Sequence, residues 1–122
     1  MGVYSGIALD NVRINSGNAV LDSVRVSADS PVTKTTSFTV GALENFIVCN
    51  GTGSITVTLP AAASFVGRVI VIKTIAAQTV VSNASNVLPI SSATAGTAIL
   101  AGTAGTWAML VSNGTNWVIM AS

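Results

Sequence analysis

Apolar and polar residues alternate with a period of two through much of this chain, and a helical period has little support. In Ser54–Leu59 every second residue is apolar, and the run stops at Pro60, which cannot donate to a strand ladder. Asn and Gly turn signals separate such runs about every ten residues, as they do in all-β sandwiches, barrels and prisms. The pattern therefore predicts an all-β chain, in which only residues 60–64 could form a helical turn.

Four further segments are short strand-like runs: 11–15, 45–49, 69–72 and 116–120. The first of these precedes a Ser16-Gly17-Asn18 turn and the segment 19–26, which predicts a hairpin. The segment Val69–Ile72 is different, because all four residues are β-branched and none is polar. Both faces of that strand are therefore expected to be covered.

Charge is scarce and unevenly placed. Only 7% of the residues are charged, six of the nine charges lie in residues 1–34, and residues 74–122 contain none. Because the centres of protein interfaces are depleted in charged residues, the uncharged half predicts that copies of the chain assemble with each other. The candidate contact residues of a trimer interface are Thr97, Ile99, Ala101 and Trp107.

The same composition excludes most chemistry. The chain has no histidine and one cysteine, so neither a Ser–His–Asp nor a Cys–His nucleophile can form within it. We expect Cys49 to be a small core residue and Glu44 to be a turn residue before a strand. No catalytic, cofactor-binding or metal site is predicted. A net charge of +1 without a basic cluster argues against nucleic acid and membrane partners.

The distribution of charge also suggests an organisation in two parts. Residues 28–34 are interpreted as a linker between the N-terminal strand hairpin and the main module. The N-terminal arm, with the linker included, is residues 1–36, and the main module is residues 37–122. The charged residues of the arm are its candidate contacts to a larger particle: Asp10, Arg13, Asp22 and Arg25.

Two blocks of the main module resemble a known family. One runs from Ile55 through Leu59-Pro60 to Gly67-Arg68 and Lys73, and the other is Ser112-Asn113-Gly114-Thr115-Asn116-Trp117. Together with Phe38–Val40 and Asn45–Asn50 they resemble a module of bacteriophage tail fibres and other virion appendages, over roughly residues 37–120. The resemblance implies a β-structured, usually trimeric, structural module without catalysis. We therefore expect a small antiparallel sandwich or prism-like knob that trimerises and carries an N-terminal hairpin arm.

Only about 36 residues precede the module, which leaves little room for a fibre shaft. The expected role is therefore a stubby trimeric surface protein of a bacteriophage virion. It would decorate or cement the capsid, or form a short head fibre. Its expected partners are copies of itself and the major capsid protein or another virion protein. It would be made in the host cytoplasm, and the sequence shows no secretory signal.

Three alternatives stay open. The same knob could be a tail-fibre tip that binds a host surface receptor through an external loop with Asn113, Thr115 and Asn116. A glycan-binding, lectin-like domain could use Trp107 or Trp117 to stack on a sugar. An enzyme is the most remote alternative, because the few carboxylates lie mostly beside turns or arginines.

Overall fold

The computed structural model describes residues 30–122, and in this part the chain is almost entirely β-sheet. A single-turn 3₁₀ helix at Ala62–Ser64 is the helical segment of the described part. No helix among residues 30–122 has the length and apolarity needed to cross a membrane. The strands are β1 (Val32–Lys34), β2 (Phe38–Thr39), β3 (Phe46–Cys49), β4 (Ile55–Thr58), β5 (Val69–Thr74), β6 (Thr79–Ser82), β7 (Val87–Leu88), β8 (Ala98–Ala101), β9 (Trp107–Ser112) and β10 (Trp117–Ala121).

The strands form two sheets that share one core. The larger sheet has the order β1-β3-β5-β9-β10-β7, and the smaller has the order β2-β4-β6-β8. From β1 to β9 the chain crosses to the other sheet after every strand. From β1 to β6 each sheet therefore gains one strand per turn of the chain, and successive strands of a sheet are parallel.

The expectation of an antiparallel fold is wrong for most of the described strand pairs. The pairs β1–β3, β3–β5, β2–β4, β4–β6 and β7–β10 are parallel. Only β5–β9, β9–β10 and β6–β8 are antiparallel. Parallel neighbours need a crossover between them, and here the strand in the opposite sheet provides it.

Several local predictions are confirmed. The alternating run before Pro60 is β4, and the four β-branched residues lie in β5. The one helical turn also lies where it was expected. The linker prediction is wrong for residues 32–34, because Val32 packs against the core and Val32–Lys34 pair with β3. The predicted hairpin at 11–26 lies outside the described residues.

Both sheets contribute to the core. Its largest fully buried side chains include Trp117, Ile47, Ile70 and Leu110 from the six-stranded sheet, and Ile55 from the four-stranded sheet. Burying apolar area of this kind is the main driving force for folding. The strands of each sheet therefore pack one face against the core, and their other face points away from it.

The turns between strands are tied together by a buried amide. The Gln78 side chain, 4% exposed, accepts a hydrogen bond from the Gly51 N–H at 2.7 Å and donates one to the Gly53 carbonyl at 2.6 Å. Both glycines belong to the β3–β4 turn, whereas Gln78 precedes β6. Because an unsatisfied buried amide is costly, these bonds fix one turn of the chain against the next.

Candidate functional site

The outer face of the six-stranded sheet is apolar. In β3, β5 and β9 the buried residues alternate with partly or well exposed ones. We call the outward set of side chains the outer face. It comprises the apolar residues Phe46, Val48, Val69, Val71, Leu88, Trp107, Met109, Val111 and Val118, together with Lys73. Phe46, Val69 and Trp107 are 46%, 39% and 42% exposed, so within residues 30–122 nothing covers them.

Strand register makes this face continuous. Phe46 lies opposite Val71, Val71 lies opposite Met109, and Val111 lies opposite both Val69 and Val118. Opposed residues on one face of a sheet contact each other, so these side chains form one patch and not scattered singles. Lys73, opposite Trp107, is the one charged residue on the outward side of β5. A contiguous apolar patch of this kind marks an interaction surface more often than chance exposure.

The four-stranded sheet differs on its outer side. Its strands β4 and β6 present Thr56, Thr58, Thr79 and one apolar residue, Val81, outward, and β8 presents the small residues Ala98 and Ala101. Threonine hydroxyls can hydrogen-bond water, so this face needs no partner. The two sheets therefore divide the surface into a hydratable side and an apolar side.

Three of the four charged residues in the described part form one cluster at the turn between β2 and β3. Glu44 accepts hydrogen bonds from the Lys34 ammonium at 2.9 Å and from the Gly41 N–H at 2.8 Å. The Arg68 guanidinium donates to the carbonyls of Gly41 and Glu44 and to the Asn45 side chain. It also lies over the Phe65 ring, 4.9 Å from its centroid.

These contacts give the cluster a structural role. The backbone hydrogen bond from Gly41, followed by the hydrogen bond from Lys34, lowers the pKa of the Glu44 carboxyl below its usual 4.5. A general acid needs the opposite shift, towards neutral pH. Glu44 is also a turn residue before β3, as expected, and its oxygens are occupied by the turn itself.

Cys49 is a core residue of the described part. The side chain is fully buried in the core, as expected, and its thiol is unpaired. Burial raises the pKa of the Cys49 thiol to about 11, so the reactive thiolate is suppressed at neutral pH. Within residues 30–122, no three His, Cys, Asp or Glu side chains come together as a possible metal site.

The four predicted interface residues are only partly brought together. Ile99, Ala101 and Trp107 line an open cleft of about 380 Å³ between β8 and β9. Ile99 is 7% exposed and belongs to the core of its own chain, so its assignment to an interface is corrected. Thr97 is exposed at the start of β8, where its carbonyl accepts the Ser82 N–H. Trp107 alone lies on the outer face.

The predicted contact loop is a tight turn between β9 and β10. The Asn113 side-chain oxygen accepts the N–H groups of Thr115 and Asn116 at 2.9 and 2.8 Å, and Gly114 takes the positive φ of 93° that the turn requires. Asn113 and Thr115 are exposed, and Asn116 is half-buried. The Asn113 side-chain oxygen is therefore used by the turn itself.

Trp117 cannot stack on a sugar from its place in the core. Its side chain is fully buried, and the indole N–H donates to the Pro60 carbonyl at 2.9 Å. Of the two candidate sugar platforms, only Trp107 is exposed. The candidate docking residues Asp10, Arg13, Asp22 and Arg25 lie outside the described residues.

Sequence reasoning missed most of the outer face. Phe46, Val69, Val71 and Met109 were not among the predicted contact residues, although the apolar run Val69–Ile72 already indicated that both faces of its strand need covering. The apolar run indicates an exposed apolar face on β5 alone, and it does not show which residues of the neighbouring strands lie beside it. Identifying those residues requires the register of β3, β5 and β9.

Comparison of the chain with protein-family models, with curated proteins and with solved structures gives no match. The geometry of the described residues and the resemblance noted in the sequence therefore support the functional proposal.

Proposed function

We propose that this chain is a structural protein of a bacteriophage virion, a trimeric surface knob that decorates or cements the capsid or forms a short head fibre. The observation that carries the proposal is the continuous apolar outer face, which in a single chain is left facing water. Water-exposed apolar area of this extent is stabilised when copies assemble. In this proposal the two sheets form the sandwich of each knob.

A binding or catalytic role has less support. The charged cluster at Glu44 and the buried Cys49 are both used by the fold. The turn at Asn113 satisfies its own acceptor, and Trp117 is buried. The described surface that remains is a face rich in threonine and small residues, the apolar outer face, and single exposed apolar residues in turns, such as Ile75 and Ile90. The apolar outer face suits a module that packs against its own copies.

In the proposed arrangement the N-terminal arm provides the contact to the particle. Asp10, Arg13, Asp22 and Arg25 would select the docking position through charge, which the module itself almost lacks. The partner would be the major capsid protein or another virion protein. The knob would then stand on the virion surface, with its synthesis in the host cytoplasm.

The test is immunogold electron microscopy of purified phage particles, using antibodies against this chain. Label over the capsid is expected. Label confined to the tail end would replace the capsid role with the tail-tip role, and unlabelled particles would contradict the proposal. Particles stripped of the protein should rebind the full chain but not a chain lacking residues 1–30. If that deletion leaves binding intact, the docking role of the arm is wrong.

A further inference from the structure

We infer that three copies of this chain pack through the outer face of the six-stranded sheet, so that three sheets enclose a triangular apolar core around a threefold axis. This inference rests on the proposed trimeric role and names the surface that forms it. The inferred interface excludes the predicted contact residues Thr97 and Ile99, and it includes Trp107 at its rim.

The face needs a second layer because of strand β5. Ile70 and Ile72 are fully buried in the core, while Val69 and Val71 point to the opposite side of the sheet. Strands that are apolar on both sides occur in sheets that are covered on both sides. Among residues 30–122 only one cover exists, the four-stranded sheet, so the other must come from elsewhere.

Charge favours a copy of the same chain as that cover. The outer face contains one charge, Lys73, which lies between Val48 and Trp107 near the end of β5, and no carboxylate. A partner with a charged surface would leave its own charges without water or counter-charge, which is costly. The segment 1–29 contains five charged residues, whereas the outer face of a second copy is as poor in charge as the first.

The width of the face matches three copies. Packed sheets lie about 10 Å apart, so side chains from each sheet fill about 5 Å of the space between them. Three sheets that each lie about 5 Å from an axis enclose a triangle with sides of about 17 Å. The four central strands β3, β5, β9 and β10, spaced by about 4.8 Å, span about 14 to 19 Å. The flanking strands β1 and β7 place Thr33, opposite Val48, and Leu88, opposite Val118, beyond that width.

The experiment measures the mass of the full chain by light scattering after substitution at the centre of the face. Met109→Lys should shift the mass from three times 12.2 kDa to 12.2 kDa, because each trimer would otherwise enclose three ammonium groups. Val71→Thr preserves shape and strand propensity, and should raise the trimer dissociation constant by about tenfold or more. The matched control is Val66→Lys, at an apolar residue that is 68% exposed and lies outside the strands.

Each outcome decides the inference. Monomeric Met109→Lys with a native circular dichroism spectrum, beside trimeric Val66→Lys, supports it. A Met109→Lys chain that does not fold leaves Val71→Thr to decide it. If both face variants remain trimeric like the wild type, the inference is wrong. The proposed trimer then stands, and its interface lies elsewhere. A wild-type dimer overturns the threefold core, and a wild-type monomer destabilised by Met109→Lys indicates that residues 1–29 cover the face.

The virion role is tested separately by the immunogold label, so the two failures are distinguishable. A labelled particle together with unaffected face variants rejects only the interface. A trimer that the face variants dissociate, without any labelled particle, rejects only the virion role.

Discussion

The indole N–H of Trp117 donates a hydrogen bond of 2.9 Å to the carbonyl of Pro60, which lies 57 residues earlier in the chain. Pro60 follows β4 of the four-stranded sheet, and Trp117 begins β10 of the six-stranded sheet. One side chain therefore joins the two sheets and fills the core at their common end.

Replacing Trp117 with Phe should lower the free energy of unfolding by about 2–3 kcal/mol, because the variant loses core volume and leaves the Pro60 carbonyl without its donor. Urea denaturation followed by circular dichroism measures the change. Leu43→Ala is the control, since Leu43 is 48% exposed and lies outside both the core and the outer face. Equal losses in the two variants would contradict this role of Trp117.

Gly51 is predicted to be intolerant of any side chain. A Cβ at this position would lie 2.3 Å from the Thr35 carbonyl oxygen, so the two turns of the chain that meet there would have to separate. Gly51→Ala should therefore cost about 2 kcal/mol or more of unfolding free energy. Gly53→Ala is the control in the same turn, because its Cβ would meet no atom within 4 Å. A thermal melt of Gly51→Ala that matches that of Gly53→Ala would rule out this contact.

The hydrogen bonds that Glu44 accepts from Gly41 and from Lys34 predict a component of stability that acid removes. Because the pKa of Glu44 is lowered in the folded chain, the unfolded chain binds the proton more readily. The stabilisation is therefore complete above about pH 4.5 and is lost as the pH falls through the lower folded value. Glu44→Gln should lose about 1 kcal/mol at neutral pH and show a shallower decline in acid. If the unfolding free energies of the two proteins, measured by urea titration, fall with pH in the same way, Glu44 contributes nothing to the loss of stability in acid.

Cys49 should be protected from thiol reagents in the native chain. Its thiol is buried and its pKa is raised to about 11, so labelling must wait for the core to open. Labelling with a maleimide at neutral pH should be at least about a hundredfold slower in buffer than in urea. Rapid labelling of the folded protein would place Cys49 outside the core.

The sequence pattern predicted the strands better than their arrangement. Runs such as Ile55–Thr58 and Val69–Thr74 show their faces through alternation and end at recognisable turn residues. Alternation contains no information on strand direction, however, so it could not reveal that β3 and β5 are parallel. The short β1 and β2 have too few residues to show a period at all.

The candidate interface shows the same limit. The uncharged half of the sequence includes Ile99 among the candidate contact residues, but β8 buries both Ile99 and Leu100 at an irregular register against β6. Such an irregularity interrupts the alternation, so the burial of Ile99 could not be predicted from spacing. The outer face, in contrast, depends on cross-strand pairs such as Val71 with Met109, which only the register of β5 and β9 defines.

The central claim is that copies of this chain assemble with each other, and the solution mass of the purified full chain tests it most directly. Light scattering across a range of concentrations should give three times 12.2 kDa, with dissociation only on dilution. A mass of 12.2 kDa at every concentration would contradict the claim and leave the apolar outer face without its proposed partner.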